Sequence, residues 1–218
     1  MILCLDSETT GLPDWKSPSD ADHQPHLVQL AMVLLEDDFT ERAHVSMIIK
    51  PEGWVIPQEV TDIHGISHAM AEAVGVPEKL AARLFGSMLY TTGAKAVGHN
   101  VAFDLRIMRI ALLRAGYTKE QLDSKKPETF CTMGSSTHLV NLPPTAKMLS
   151  AGFNKPKAPK LSECIEHFFG EPMVGAHDAM NDCRASLRIF RHLSTANKPA
   201  PIMMKEPIGT DLGAEDVI

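Results

Sequence analysis

No apolar run in this chain approaches the roughly twenty residues that cross a bilayer as a helix, so no membrane association is expected. No C-x-x-C pair occurs among the four cysteines, Cys4, Cys131, Cys164 and Cys183. Each lies in an apolar, periodic context, which points to buried reduced thiols rather than a disulfide or zinc framework. A cytoplasmic location follows, and an acidic motif six residues from the start leaves no room for a signal peptide ahead of it. Positive charge is not in excess either: the 218 residues carry a net charge of −6. Non-specific nucleic-acid affinity rests on phosphate neutralisation, so this balance disfavours tight binding along an extended duplex. No internal repeat is evident. The length, at 44% apolar content, suits one well-cored domain and is too short for a second of ordinary size.

What the chain does have is an unusual run of acids. Asp6 and Glu8 follow the apolar segment Ile2-Leu3-Cys4-Leu5, which reads as a buried strand. Residues i and i+2 of a strand point to one side of the sheet, so the two carboxylates are presented together. Like charges that close repel, and a divalent cation between them relieves the repulsion, because Mg²⁺ and Mn²⁺ prefer hard oxygen ligands. A surface turn, with Asp6 as a solvated cap and Thr9-Thr10-Gly11 as turn residues, accounts for the pair equally well.

Two further segments bear on that choice. Ala94 to Gly98 reads as a strand running into His99-Asn100-Val101-Ala102-Phe103-Asp104, which opens a helix over Val101 to Ala115. Asp104 then falls in a first helical turn, where an acid also complements the helix dipole. His177-Asp178-Ala179-Met180-Asn181-Asp182 leads into a helix expected to reach His192. It places one more carboxylate at a helix start, with an imidazole on the loop before it.

Asp6-x-Glu8-Thr9-Thr10-Gly11, Gly98-His99-Asn100-x-x-Phe103-Asp104 and His177-x-x-x-x-Asp182 together resemble the three motifs of the DEDDh 3′→5′ exonucleases. That family includes the proofreading subunit of bacterial replicative polymerases, ribonuclease T and the three-prime repair exonucleases. Each motif alone is weak, whereas three in order form a strong joint signal. The resemblance covers about residues 1–193. It implies an α/β ribonuclease H-like fold with a mixed central sheet flanked by helices, an exonuclease domain over 1–194, and a flexible C-terminal tail over 195–218.

Phosphodiester hydrolysis needs an activated water, charge neutralisation and help for the departing oxyanion, which two metals about 4 Å apart can supply. By resemblance, Asp6, Glu8, Asp104 and Asp182 hold two Mg²⁺ ions, with Mn²⁺ able to substitute. His177 takes the proton, a role that suits an imidazole. The same resemblance assigns substrate contacts to Thr9, Thr10 and Gly11, a wedge against the last bases to Leu12, and further contacts to His64, Asn100 and Phe103. Asn100 is also expected as a helix cap and Phe103 as a core residue. The implied activity is release of 5′-mononucleotides from the 3′ end of single-stranded or frayed DNA, in proofreading or repair. The same chemistry on short RNA is the alternative, because discrimination at the 2′-hydroxyl lies in pocket shape. An inactive adaptor is disfavoured by the complete set of acids.

The remaining motifs have simpler readings. Lys147, Lys155, Lys157 and Lys160 lie in a stretch without acids and form either a substrate-gripping loop or a solvated one, with Arg106 and Arg109 next in line as phosphate contacts. The 154–160 stretch reads as flexible. His23 and His26, and His64 and His68, are expected to be ordinary histidines rather than metal pairs. The tail, with Met203-Met204 beside Pro201, could dock a polymerase or clamp, although a disordered end is the simpler reading. Strands are expected at Ile2–Ser7, Leu27–Leu35, Ala43–Ile49, Ala94–Gly98 and around Thr129. Helices are expected near 58–62, 67–73, 133–139, 161–169 and 178–192, with one from Pro77 through Leu89.

Overall fold

The structure, a computed structural model, describes residues 1–196. The tail expected over 195–218 lies, from residue 197 on, outside the described residues, as do Met203 and Met204.

Six strands form one sheet in the order β4-β3-β2-β1-β5-β6. They are β1 (Ile2–Thr9), β2 (Leu27–Leu35), β3 (Glu41–Lys50), β4 (Val76–Pro77), β5 (Lys95–Gly98) and β6 (Thr129–Cys131). β1, β2 and β3 pair antiparallel, whereas β5 lies parallel to β1 and β6 parallel to β5. This is the expected mixed sheet. β2 is buried along nearly its whole length, as its apolar run, broken only by Gln29, requires when both faces are covered.

Alternation along β1 divides the core. Leu3 and Leu5 pack with Phe85 and Leu89 of α3 (Glu78–Thr92) and Ile107 and Met108 of α4 (Val101–Arg114). Ile2 and Cys4 pack instead with Ala179, Cys183 and Phe190 of α9 (Ala179–Ala196). The period of two therefore sends Asp6 and Glu8 toward α9 and Ser7 toward α4. Strand β1 runs two residues beyond its expected end at Ser7, which keeps Glu8 within the strand. The ladder with β2 has a bulge between Glu8 and Thr9, a device that bends a strand and re-aims its side chains.

Shorter helices complete the chain: α1 (Gln58–His64), α2 (His68–Val74), α5 (Lys119–Asp123), α6 (Thr132–Val140), α7 (Ala146–Ser150) and α8 (Leu161–Phe169). Pro77 ends β4 and occupies the N-cap of α3 instead of its first turn. All four cysteines are free, with Cys131 only half-buried. Among the described residues no helix is long and apolar enough to cross a membrane.

Candidate active site

The C-terminal ends of the parallel strands β1 and β5 open toward the N-termini of α4 and α9, the place where open α/β sheets form their ligand crevices. Gly98 closes β5 where a Cβ would stand 3.1 Å from the Leu5 carbonyl oxygen, so glycine lets the second motif pass this close to β1 without displacing it. Asn100 follows in a left-handed conformation (φ 72°) and occupies the N-cap position of α4 without making a side-chain capping bond. The expected cap is therefore positional only. Asn tolerates that conformation, and the turn carries Asp104 back to β1.

Asp104 is 2% exposed and accepts a 2.7 Å hydrogen bond from the Ser7 hydroxyl. Burial raises its pKa from 3.8 to about 7 against the opposing pull of that bond. Phe103 packs half-buried against the main core. On β1, burial followed by repulsion from Asp104, Asp182 and Glu8 holds the Asp6 carboxyl well above its usual range. Burial, then Asp182 and Asp104, pushes Glu8 from 4.5 to about 8. Asp182 is raised as well, chiefly by burial.

Asp182 sits one turn into α9, and the loop before that helix is fastened onto it. Its Oδ2 accepts from the His177 N–H at 3.3 Å. Its Oδ1 is buried and has no hydrogen-bond partner among the described residues. The His177 backbone is left-handed (φ 67°), as is Gly175 (φ 69°), whose carbonyl accepts from Asn181 Nδ2 at 3.1 Å. A Cβ on Gly175 would come 2.5 Å from that Nδ2, so a larger residue would have to push the Asn181 amide aside as well as adopt the left-handed turn. One ligand atom each from Glu8, His177 and Asp182 lies within 4.8 Å of the others.

Three supporting residues escaped the sequence reading. Ser7 positions Asp104. Asp178 caps α9 by accepting from the Met180 and Asn181 N–H groups, and its Oδ2 accepts from Gln29 Nε2 at 3.1 Å. Gln29, directly opposite Glu8 in the β1–β2 ladder, returns its Oε1 to the Ala179 N–H. A buried amide thus locks the α9 start beside Glu8. The signal was present, since Gln29 interrupts an otherwise apolar strand.

Other expected contacts fare differently. Leu12 is 85% exposed. Thr9 donates its hydroxyl to the Gly11 carbonyl. Thr10 spends its N–H on the His26 carbonyl and its hydroxyl oxygen on the His26 N–H, so its backbone donor is not available to a nucleotide. Gly11 is extended, with open space where a Cβ would stand. His64 ends α1 before the left-handed Gly65; its Nδ1 accepts from the Ile66 N–H, which puts the ring proton on Nε2, buried and without a partner. Burial, then His177, lowers its pKa. His68 faces Glu72, His23 faces Asp14, and His26 stacks on Trp54, so neither histidine pair shares a site.

Two expectations about cations are corrected. Arg106 and Arg109 are committed elsewhere, Arg106 to the carbonyls of Asp14 and Ser17 and Arg109 to Asp123. The 154–160 stretch has no regular structure yet is tied down. His99 Nε2 donates to the Pro159 carbonyl, the Lys157 N–H to the Leu142 carbonyl, and Lys157 Nζ to both oxygens of Glu163. Lys155 and Lys160 remain exposed.

Comparison with known proteins gives the family and the fold. The family described as "Exonuclease", RNase T, matches residues 3–190. The chain belongs to that family. Its membership is of the DEDD-type 3′→5′ exonucleases. The 3′-5′ exonuclease DinG of Bacillus subtilis is 29% identical over 190 residues, covering 87% of this chain and 17% of that protein. Escherichia coli exonuclease I in complex with a dT13 oligonucleotide superposes with a TM-score of 0.69 at 20% identity, over 89% of this chain and 41% of that one. Its zinc-bound complex with single-stranded DNA gives 0.68 at 19% identity, over 90% and 40%. The exonuclease chain thus spans less than half the length of these relatives and shares the ribonuclease H-like fold of exonuclease I.

Proposed function

We propose that this exonuclease-family chain is a metal-dependent 3′→5′ exonuclease that removes 5′-mononucleotides from the 3′ end of single-stranded or frayed DNA. The observation that carries this reading is the acidic cluster. Four carboxyl groups share one end of the sheet; burial raises every one of them, and repulsion from the others adds to it at Asp6 and Glu8. The unpartnered Oδ1 of Asp182 fits a cation ligand, as does the all-oxygen donor set.

Asp6, Glu8, Asp104 and Asp182 would hold two Mg²⁺ ions, with Mn²⁺ as a substitute. When bound, these supply charge neutralisation at the phosphate oxygens and an activated water. His177, on its loop beside Glu8 and Asp182, takes the proton of the attacking water at its ring. Leu12 wedges against the last bases, with Thr9, Thr10, Gly11, Asn100 and Phe103 lining the approach. His64 offers its Nε2–H to the strand end. Lys155 and Lys160 meet the phosphates behind it. Support for DNA comes from the relatives: exonuclease I was captured with deoxyoligonucleotides. A proofreading or repair role in the cytoplasm fits the reduced cysteines.

The test is a matched panel of end-labelled single-stranded DNA, duplex DNA and RNA with Mg²⁺, resolved at single-nucleotide level. Faster shortening of single-stranded DNA supports the reading. Preference for RNA would reassign the substrate, and no shortening of any strand would overturn it.

A further inference from the structure

The loop between β1 and β2 carries an indole into solvent on a backbone held from several sides. Trp15 is 60% exposed. Gln24, only 2% exposed, accepts from the Asp14 N–H at 3.1 Å and donates to the carbonyls of Asp14 and Pro18 at 2.9 and 3.0 Å. The Asp14 carboxylate accepts from the Lys16 N–H at 2.9 Å and the Ser17 hydroxyl at 2.6 Å. Arg106 of α4 donates to the carbonyls of Asp14 and Ser17 at 3.2 and 2.5 Å. Its guanidinium carbon stands 5.8 Å from the Trp15 ring centroid, within cation–π range.

Single exposed apolar side chains are common and need no explanation. This one differs in its fixation and its place. Trp15 lies three residues past Leu12, a span of at most about 11 Å of chain. The ring therefore stays close to the exposed leucine that the exonuclease reading seats against the strand end. A stacked strand advances about 3.4 Å per nucleotide, so a strand end seated at Leu12 brings a base within reach of the ring no more than about three nucleotides upstream. Every base offers a π-face, which makes aromatic stacking tolerant of sequence.

We infer that Trp15, with Arg106 beside it, is a stacking platform for an unpaired nucleobase two or three positions upstream of the 3′-terminal nucleotide. The inference rests on the exonuclease reading and identifies a strand contact that the acidic motifs do not supply. It explains the investment of a buried glutamine and an arginine in fixing a surface loop.

The chain has one other tryptophan, Trp54, stacked on His26 with centroids 4.6 Å apart. A Trp54→Phe variant leaves Trp15 as the sole tryptophan, and titration with octathymidylate in Ca²⁺ should quench its emission saturably under excitation selective for the indole. An octamer with abasic sugars at the second to fourth positions from its 3′ end should not. Trp15→Ala should weaken octamer binding about five- to a hundred-fold, with Trp15→Phe restoring most of it. The wild-type-to-variant ratio of kcat/KM should rise as substrates lengthen from two to eight nucleotides. Equal quenching by both octamers, no quenching by either, or a ratio independent of length would overturn the platform. Failure of the exonuclease reading looks different: the wild type would then shorten no oligonucleotide, while the quenching experiment would still report on Trp15. The quenching arm also stands if Trp15→Ala fails to fold.

Discussion

Glu8→Gln should stabilise the metal-free protein at alkaline pH and leave it almost unchanged in acid. Burial, then Asp182 and Asp104, raises Glu8 from 4.5 to about 8, so the folded chain holds this proton more tightly than the unfolded chain does. Below about pH 4.5 both states are protonated and the penalty is absent. Between the two values the folded state binds more protons, so stability falls as pH rises, and above about 8 the whole penalty is present. At 1.36 kcal/mol per pH unit, that interval sets an upper bound of roughly 5 kcal/mol. Solvent reaching the half-exposed Glu8 screens this to a few kcal/mol. Each kcal/mol moves Tm by about 2–4 °C in a chain of this size. The variant should therefore melt roughly 5–10 °C above wild type at alkaline pH in chelator, the two curves converging toward acid. Added Mg²⁺ should raise the wild-type Tm more than the variant's, because the variant has lost a ligand. Calorimetry across this pH range decides it. A wild-type profile that is flat with pH and parallel to that of the variant would refute the argument.

Further outcomes are expected. Asp6→Ala, Asp104→Ala and Asp182→Ala should each cut turnover by orders of magnitude while circular dichroism stays native; near-native nuclease rates would remove these residues from the site. Chelation should abolish activity and Mg²⁺ restore it, whereas Ca²⁺, larger and more loosely coordinated, should bind without comparable hydrolysis; full activity in excess chelator would sink the metal mechanism. Lys155→Ala with Lys160→Ala should flatten the slope of log affinity against log salt by about 0.7 per lost phosphate contact. Lys157→Ala should leave that slope unchanged, since its ammonium already sits on Glu163 at 2.6 Å, and His177→Ala should lower turnover while binding persists.

The acidic cluster was legible because its cost is local. Two carboxylates at i and i+2 in an apolar strand demand a reason wherever the strand goes. The long elements were legible for the same kind of reason: apolar runs such as 27–35 and the helix from Val101 carry enough residues to show a period. β4, α5 and α7, of two, five and five residues, are too short to show one. Ser7, Gln29 and Asp178 stayed hidden because their partners are distant in sequence, 97 residues away for Ser7 and 149 for the pair. Distance also explains the loop over 154–160: its lysines and prolines read as flexible, while its anchor, His99, lies 60 residues from Pro159. Arg106 and Arg109, read as phosphate contacts from their nearness to Asp104, were claimed by carbonyls and a carboxylate that only the folded chain brings to them.

The polarity of cleavage tests the central claim most directly. A 5′-labelled single strand, the same strand ending in a 3′-phosphate, and a circular single strand would be digested in Mg²⁺ by the wild type and by Asp104→Asn. The account predicts a ladder shortening one nucleotide at a time from the free 3′ end, slow attack on the 3′-phosphate strand, intact circles, and no ladder from the variant. Cleavage of circles as fast as linear strands, or an undiminished ladder from the folded variant, would contradict it.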